Sequence, residues 1–420
     1  MNILEKLIKN TESILQEMDK NPDPNAMKST RLGHEIELEG YKEILQEWQE
    51  GKPLMTHFPT NGLARALGTR RVVYEDLVFV FPDPADAKRY RQKAREMGLP
   101  DYTCEFFTLP TAAVELGELP PSPGIGVVCP EGICRLLMFH LKVFAEHHAE
   151  GKPTFEVDIP HEYNEESIKY LADQLGGLIK FVEKNVPGLK YDEAKHKEII
   201  ETYRIFHQYL MKEWELRKKT PLPMSNIESY ESNVMHFDPY LYSTPEKVLE
   251  YWRQRVEDLE ERVAKGVDKK EELRVIWVLT IPVYVNIFPL LDRLNVSLVS
   301  SVFPGSRPGF WGDDKEFGRK LAPLEEEARA LFFGAPEGSL AEAMSVVGMC
   351  KDLKADAIIC QQSCLHFGSP AGLISDIAEK ELGVPTLILP TDFVDPAAVP
   401  AAEFESRVEE FVNMAKARKK

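Results

Sequence analysis

The feature that most limits how this chain can fold is a change of rhythm after Gly51. Before it, residues 2–20 and 34–50 carry apolar side chains at helical spacing (Leu38, Tyr41, Ile44, Leu45 and Trp48 in the second stretch), with the turn-rich NPDPNA at 21–26 between them. After it, short apolar runs alternate with helical ones. PLMTHF, GLARALG and RRVVYED come first, then PGIGVVC at 123–129, a helix RLLMFHLKVFAEHHAEG at 135–151, and PTFEVDIP at 153–160. Strand–helix–strand alternation calls for a parallel sheet covered on both faces. Residues 165–220 and 245–265 are helical. A second alternating unit opens with RVIWVLTIP at 274–282 and continues through VSLVSSVF (296–303), ADAIIC (355–360) and VPTLILPTDF (384–393). The expected architecture is α/β, with two doubly wound parallel-sheet domains. A helical N-terminal segment spans 1–50, a first α/β domain 51–185, a helical connector 186–270 and a second α/β domain 271–420.

Composition narrows the function. A formal net charge of −17 argues against a nucleic-acid surface, which needs clustered Lys and Arg, and leaves room for docking to a basic partner. No apolar run reaches the roughly 20 residues of a membrane span. The opening MNILEKLIKNTESILQEMDK lacks the apolar stretch and cleavage site of a secretory signal, so the expected location is the cytoplasm. Disulfides are rare there, and the six cysteines need another reason. The charge runs HEIELEG and DLEERVAKGVDKKEEL are expected to be solvated helix faces. No GxxxxGK[ST] phosphate loop occurs, so any ATP is expected on a partner.

The cysteines fall into two groups: Cys104, Cys129 and Cys134 in the first α/β unit, Cys350, Cys360 and Cys364 in the second. Cys129 and Cys360 each end an expected strand, Cys134 opens a helix, and Cys364 precedes one that begins near Pro370. Loops beyond the carboxyl ends of strands form the ligand crevice of an open α/β sheet. A helix N-terminus favours thiolate, the form that binds iron, and its backbone N–H groups can bond cluster sulfides. Buried core cysteines are the simpler account of any one of them, but a weaker one for two strand-end pairs at matching places. A structural zinc site fits CPEGIC and CQQSC loosely and leaves Cys104 and Cys350 unused. A cysteine nucleophile lacks an accompanying motif. Cys350 lies near the end of the expected helix SLAEAMSVVGMCKDLK, so either Gly348 breaks that helix and brings Cys350 round, or Cys350 is a core residue.

These residues resemble a known family. YTCEFF around Cys104, GVVCPEGIC around Cys134, GKPTFEVDIP at 151–160, ADAIICQQSC around Cys364 and VPTLILPTDFVDP near the end together resemble the catalytic component of 2-hydroxyacyl-CoA dehydratases and benzoyl-CoA reductases, over most of residues 50–415. The resemblance implies two Rossmann-like domains with helical additions. It also implies a [4Fe–4S] cluster on the positions of Cys104, Cys134 and Cys364, and a separate ATP-hydrolysing iron–sulfur activator as electron donor. The surplus of Cys129, Cys350 and Cys360 is similar to the double-cubane branch of the superfamily, where an [8Fe–9S] unit takes six thiolates.

Two enzymes follow as expectations. The first is a homodimeric iron–sulfur reductase with a double cubane on all six cysteines, reducing a small molecule with electrons from an ATP-dependent partner reductase. The alternative is a subunit of a 2-hydroxyacyl-CoA dehydratase, or of a benzoyl-CoA reductase, with one [4Fe–4S] cluster, against which Pro390 in LILPTDF weighs. A carrier or zinc-stabilised scaffold is the non-enzymatic option. The cluster would carry the electron chemistry and the protein would supply access and protons. Glu105, Glu131 and His366 adjoin the candidate ligands, Gln361 and Gln362 are placed to orient substrate, and His57 ends a strand expected to face the same crevice. For any one of these, a solvent-facing or helix-capping role is the simpler account.

Overall fold

A computed structural model describes residues 2–56, 58–72, 84–99, 105–121, 123–128, 153–160, 162–234, 245–279, 281–302, 317–334, 339–362, 370–391 and 399–419. The chain opens with two antiparallel-packed helices, α1 (Ile3–Lys20) and α2 (Lys28–Gln49). A capping box starts α1: the Glu5 N–H donates to Asn2 Oδ1 (2.9 Å) and the Asn2 N–H to Glu5 Oε2 (2.8 Å), satisfying two end donors at once.

The first alternating region supplies short parallel pairs. β1 (Leu54–Thr56) leads through α3 (Asn61–Ala66) to β2 (Arg70–Val72), and these two strands pair in parallel. After α4 (Pro84–Glu96) and α5 (Glu105–Glu115), β3 (Gly126–Val128) pairs in parallel with β4 (Thr154–Glu156). The helix expected at 135–151 lies outside the described residues. α6 (Glu165–Asn185) turns Ile168, Leu171, Leu175, Leu178 and Val182 inward at helical spacing, against Met55, Phe58, Val127 and Val157. Three helices follow, two long and one short between them: α7 (Glu193–Arg217), α8 (Asn226–Val234) and α9 (Pro245–Lys265). α7 and α9 share a core that includes Tyr203, Phe206, Tyr251 and Trp252, with Ile36 of α2.

The C-terminal unit is a four-stranded, wholly parallel sheet: β5 (Leu273–Val278), α10 (Phe288–Arg293), β6 (Val296–Val302), α11 (Pro323–Gly334), α12 (Ser339–Leu353), β7 (Ala357–Gln362), α13 (Ala371–Leu382), β8 (Thr386–Pro390) and α14 (Ala401–Lys419). The strand order is β6-β5-β7-β8. Every residue of β5 is buried, as a central strand between two helical layers requires. On one face Ile276, Val278 and Ile358 meet Ala343, Val346 and Val347 of α12 and Ile374 and Ala378 of α13. On the other, Leu273, Val275, Trp277 and Ile359 meet Leu290 and Leu291 of α10 and Phe404, Val408 and Val412 of α14. The sheet is therefore doubly wound. α11 departs from this pattern: its Ala328, Leu331 and Phe332 join the core around α6 and the N-terminal strand pairs.

Candidate functional site at the carboxyl edge of the C-terminal sheet

The direction in which successive strands are added reverses between β5 and β7, because β6 lies outside β5 on one side while β7 and β8 extend on the other. Doubly wound sheets bind ligands beyond the strands' carboxyl ends at such a switch point. What the strands place there is therefore the candidate site.

β5 ends irregularly. Val278 pairs with Cys360, so residue 279 comes opposite Gln361. Leu279 has φ +73°, a left-handed backbone that costs a residue with a Cβ about 1 kcal/mol or more. By strict alternation its side chain belongs to the face of Trp277; it packs instead with Val278 and Ile358 on the opposite face. Gln361, by the same alternation, follows Ala357 and Ile359 on the face that Leu279 has left. Gln361 is fully buried, and neither its Nε2 nor its Oε1 has a hydrogen-bond partner. Trp277, one same-face step back on the neighbouring strand, is also fully buried, packs on Phe404 at 6.0 Å between ring centroids, and leaves its Nε1 unpartnered. Past the end of β8, Thr391 Oγ1 meets Tyr284 Oη at 3.0 Å, and Tyr284 also donates to the Val399 carbonyl at 3.1 Å.

α8 packs along β6 and carries one group past the end of β5. Asn226 holds the start of β6 through Val296 and Leu298, and Ser229 Oγ donates to the Leu298 carbonyl. One residue on, Tyr230 Oη accepts the Ile281 N–H at 3.0 Å, beyond the end of β5. Glu231 follows, and burial pushes its carboxyl up to about 7, with Glu37 and Glu228 adding to that and His34 and Arg255 opposing it. On α2, His34 Nδ1 lies 3.1 Å from Glu37 Oε2. Burial raises the Glu37 carboxyl against the pull of His34. Burial works against charge on His34, but its hydrogen bond to Glu37 and the charges of Glu37 and Glu231 outweigh it and hold the imidazole above its ordinary value. This corrects the expectation that HEIELEG is a solvated face, because Glu37 is buried. The signal was in the sequence: Gly33, Ile36, Glu37, Gly40, Tyr41 and Ile44 form one helical stripe, and Glu37 falls on it.

The sequence candidates are distributed as follows. His57, Cys104, Cys129, Glu131, Cys134, Cys364 and His366 lie outside the described residues. Glu105 is the first residue of α5, immediately after Cys104. β7 runs on past Cys360 to Gln362, two residues further than the apolar run suggested, and Cys364 follows. Cys360 is thus inside the ladder, between Val278 and Ile388, and fully buried. α12 passes unbroken through Gly348, and Cys350 packs with Val346, Val347, Leu353 and Ala355, where burial pushes its thiol up to about 12. Cys350 and Cys360 share one apolar core on the α12–α13 face, and neither is in a disulfide. Among the described residues no group of three or more His, Cys, Asp or Glu is arranged to hold a metal ion. The donor set still suits an iron–sulfur cluster: Cys129 follows β3, Cys364 follows β7, and Cys104 immediately precedes α5, where a helix N-terminus favours thiolate.

Comparison with known proteins gives two matches. A family model described as 2-hydroxyglutaryl-CoA dehydratase, D-component, matches residues 65–415. The alpha subunit of (R)-2-hydroxyglutaryl-CoA dehydratase from Acidaminococcus fermentans is 22% identical over 298 residues, covering 68% of this chain and 59% of that protein. The chain therefore spans about three-fifths of the length of the curated relative it matches.

Proposed function

The chain belongs to the 2-hydroxyglutaryl-CoA dehydratase D-component family, and from that premise we propose that it is the cluster-bearing component of a 2-hydroxyacyl-CoA dehydratase. Cys104, Cys134 and Cys364 would hold one [4Fe–4S] cluster, which supplies low-potential electron transfer when bound. A separate ATP-hydrolysing iron–sulfur activator would deliver the electron. Loss of water across C2 and C3 leaves the substrate's overall oxidation level unchanged, so that electron must be returned at the end of each cycle. The protein's part is to seat the thioester beside the cluster, exclude bulk water and supply protons, with Glu105, Glu131, His57 and His366 as the nearby titratable candidates.

The observation that carries a single cluster is the placement of Cys350 and Cys360 in one apolar core, where burial pushes the Cys350 thiol up to about 12. The count of six cysteines favours a second reading, an [8Fe–9S] double cubane on all of them in a homodimeric reductase. Iron and sulfide analysis of anaerobically purified protein separates the two. The single cluster predicts about four iron per chain. About eight would establish the double cubane, and zinc in place of iron would overturn both.

A further inference from the structure

At Gln361 a fully buried primary amide offers an NH2 donor and a carbonyl acceptor, and neither is used. Buried polar groups are almost always hydrogen-bonded, because leaving them bare forfeits their hydration without return. Three further observations mark this amide as facing a ligand. It stands at the β5/β7 switch point, where an open parallel sheet forms its crevice. The residue that should cover it, Leu279, has a left-handed backbone and packs on the opposite face. The Trp277 indole N–H, one same-face step away, is also unanswered.

An amide with both edges open matches a group that accepts and donates through adjacent atoms. A 2-hydroxyacyl thioester has this pattern, with its carbonyl oxygen and its 2-hydroxyl one carbon apart. Gln361 also lies three residues before Cys364, a stretch of chain that reaches at most about 10 Å. The reacting end of the substrate, and not its distant pantetheine amides, is then the part that meets Gln361. We propose that Gln361 recognises the 2-hydroxy thioester head of the substrate, its Nε2–H donating to the thioester carbonyl and its Oε1 accepting from the 2-hydroxyl. The identity of this ligand rests on the dehydratase function proposed above.

The test is a binding measurement without turnover. Anaerobically purified, iron-loaded parent and Gln361→Leu proteins are titrated calorimetrically, with no ATP or activator, against thioester pairs that differ only in the hydroxyl: lactyl- and propionyl-CoA, 2-hydroxyglutaryl- and glutaryl-CoA. The parent should prefer the hydroxylated member by about tenfold, the worth of one well-made hydrogen bond, and Gln361→Leu should reduce that preference to about twofold or less. Ligand-free Gln361→Leu should keep its iron and melt at or above the parent, because it removes an unsatisfied buried group. A lowered melting point or lost iron would mean that the amide serves the fold or the cluster, and would overturn the assignment. So would a parent that binds both members equally, or a variant that keeps the preference. A parent that binds none of the four thioesters would instead overturn the dehydratase function itself.

Discussion

Gly62→Ala should destabilise the protein, although the substitution normally favours a helix. Gly62 lies in α3, and a Cβ there would stand 2.6 Å from Glu327 Oε1, 2.8 Å from Tyr203 Cε2 and 3.0 Å from Ile199 Cγ2. None of the three neighbours has room to retreat, since Glu327, Tyr203 and Ile199 are all buried. Glu327 is also engaged: its Oε1 lies 3.1 Å from His196 Nε2, and His196 Nδ1 lies 2.8 Å from Tyr191 Oη. A neutral imidazole satisfies both contacts if Tyr191 donates to Nδ1 and Nε2–H donates to Glu327. Ala in place of Gly would return up to about 1 kcal/mol of backbone entropy and propensity. Overpacking costs about 1–3 kcal/mol, and displacing a carboxylate from a buried hydrogen bond about 1.5–3 kcal/mol more. The net expectation is a loss of about 1.5–5 kcal/mol, obtained by setting those costs against that gain. Gly176 supplies the control. It sits inside α6, and its Cβ would find only Leu324 Cδ1 at 3.9 Å, so Gly176→Ala should be stabilising by up to about 1 kcal/mol. Urea unfolding followed by far-ultraviolet circular dichroism reads both as shifts in midpoint. If Gly62→Ala unfolds at or above the parent's midpoint, α3 is not seated against α7 and α11 in this way.

Glu231 makes stability pH-dependent. Its carboxyl titrates near 7 in the fold and near 4.5 when unfolded, so between these values the native state holds the extra proton and stability falls as pH rises. The loss is bounded at about 3 kcal/mol and is reduced because Glu231 keeps partial exposure among His34, Glu37, Glu228, Tyr251 and Arg255; Glu231→Gln should be free of this fall, and an equal stability difference between the two proteins at pH 5 and pH 8 would refute it. Cys350→Ala and Cys360→Ala should keep their iron and lose about 1 kcal/mol or more of stability from the vacated core volume, whereas Cys364→Ala should lose iron; iron loss in either core variant would reinstate the six-thiolate centre.

The sheet was legible because its signal is local. VIWVL (275–279) and AIIC (357–360) are unbroken apolar runs, as a strand buried on both faces requires. The last two residues of β7 were not legible, because nothing in Gln361-Gln362 favours a strand. They belong to one because β8 pairs with them, Gln361 with Leu389 and Gln362 with Pro390, and because the Thr391 N–H then closes on the Gln362 carbonyl at 3.1 Å. Leu279 was hidden for a similar reason: left-handed backbone usually announces itself as Gly or Asn, and here tertiary packing imposes it on Leu. Glu37 could have been found, since its place on the apolar stripe of α2 outweighs its membership of a charge run.

Counting cysteines treats every thiol as equivalent, whereas position along the strand separates them. A side chain inside a parallel ladder is committed to one face of the sheet, and in a doubly wound fold both faces are helix-covered. Cys360, flanked by Val278 and Ile388, is committed in this way, and Cys350 meets the same face from α12. Among the described residues the pairing of β7 with β8 ends at Gln362, opposite Pro390. Cys364 is the first cysteine after that point. On this logic the two extra residues of β7 withdraw Cys360 into the core, whereas Gln361, the last ladder position on its own face, lies on the side that Leu279 has left uncovered.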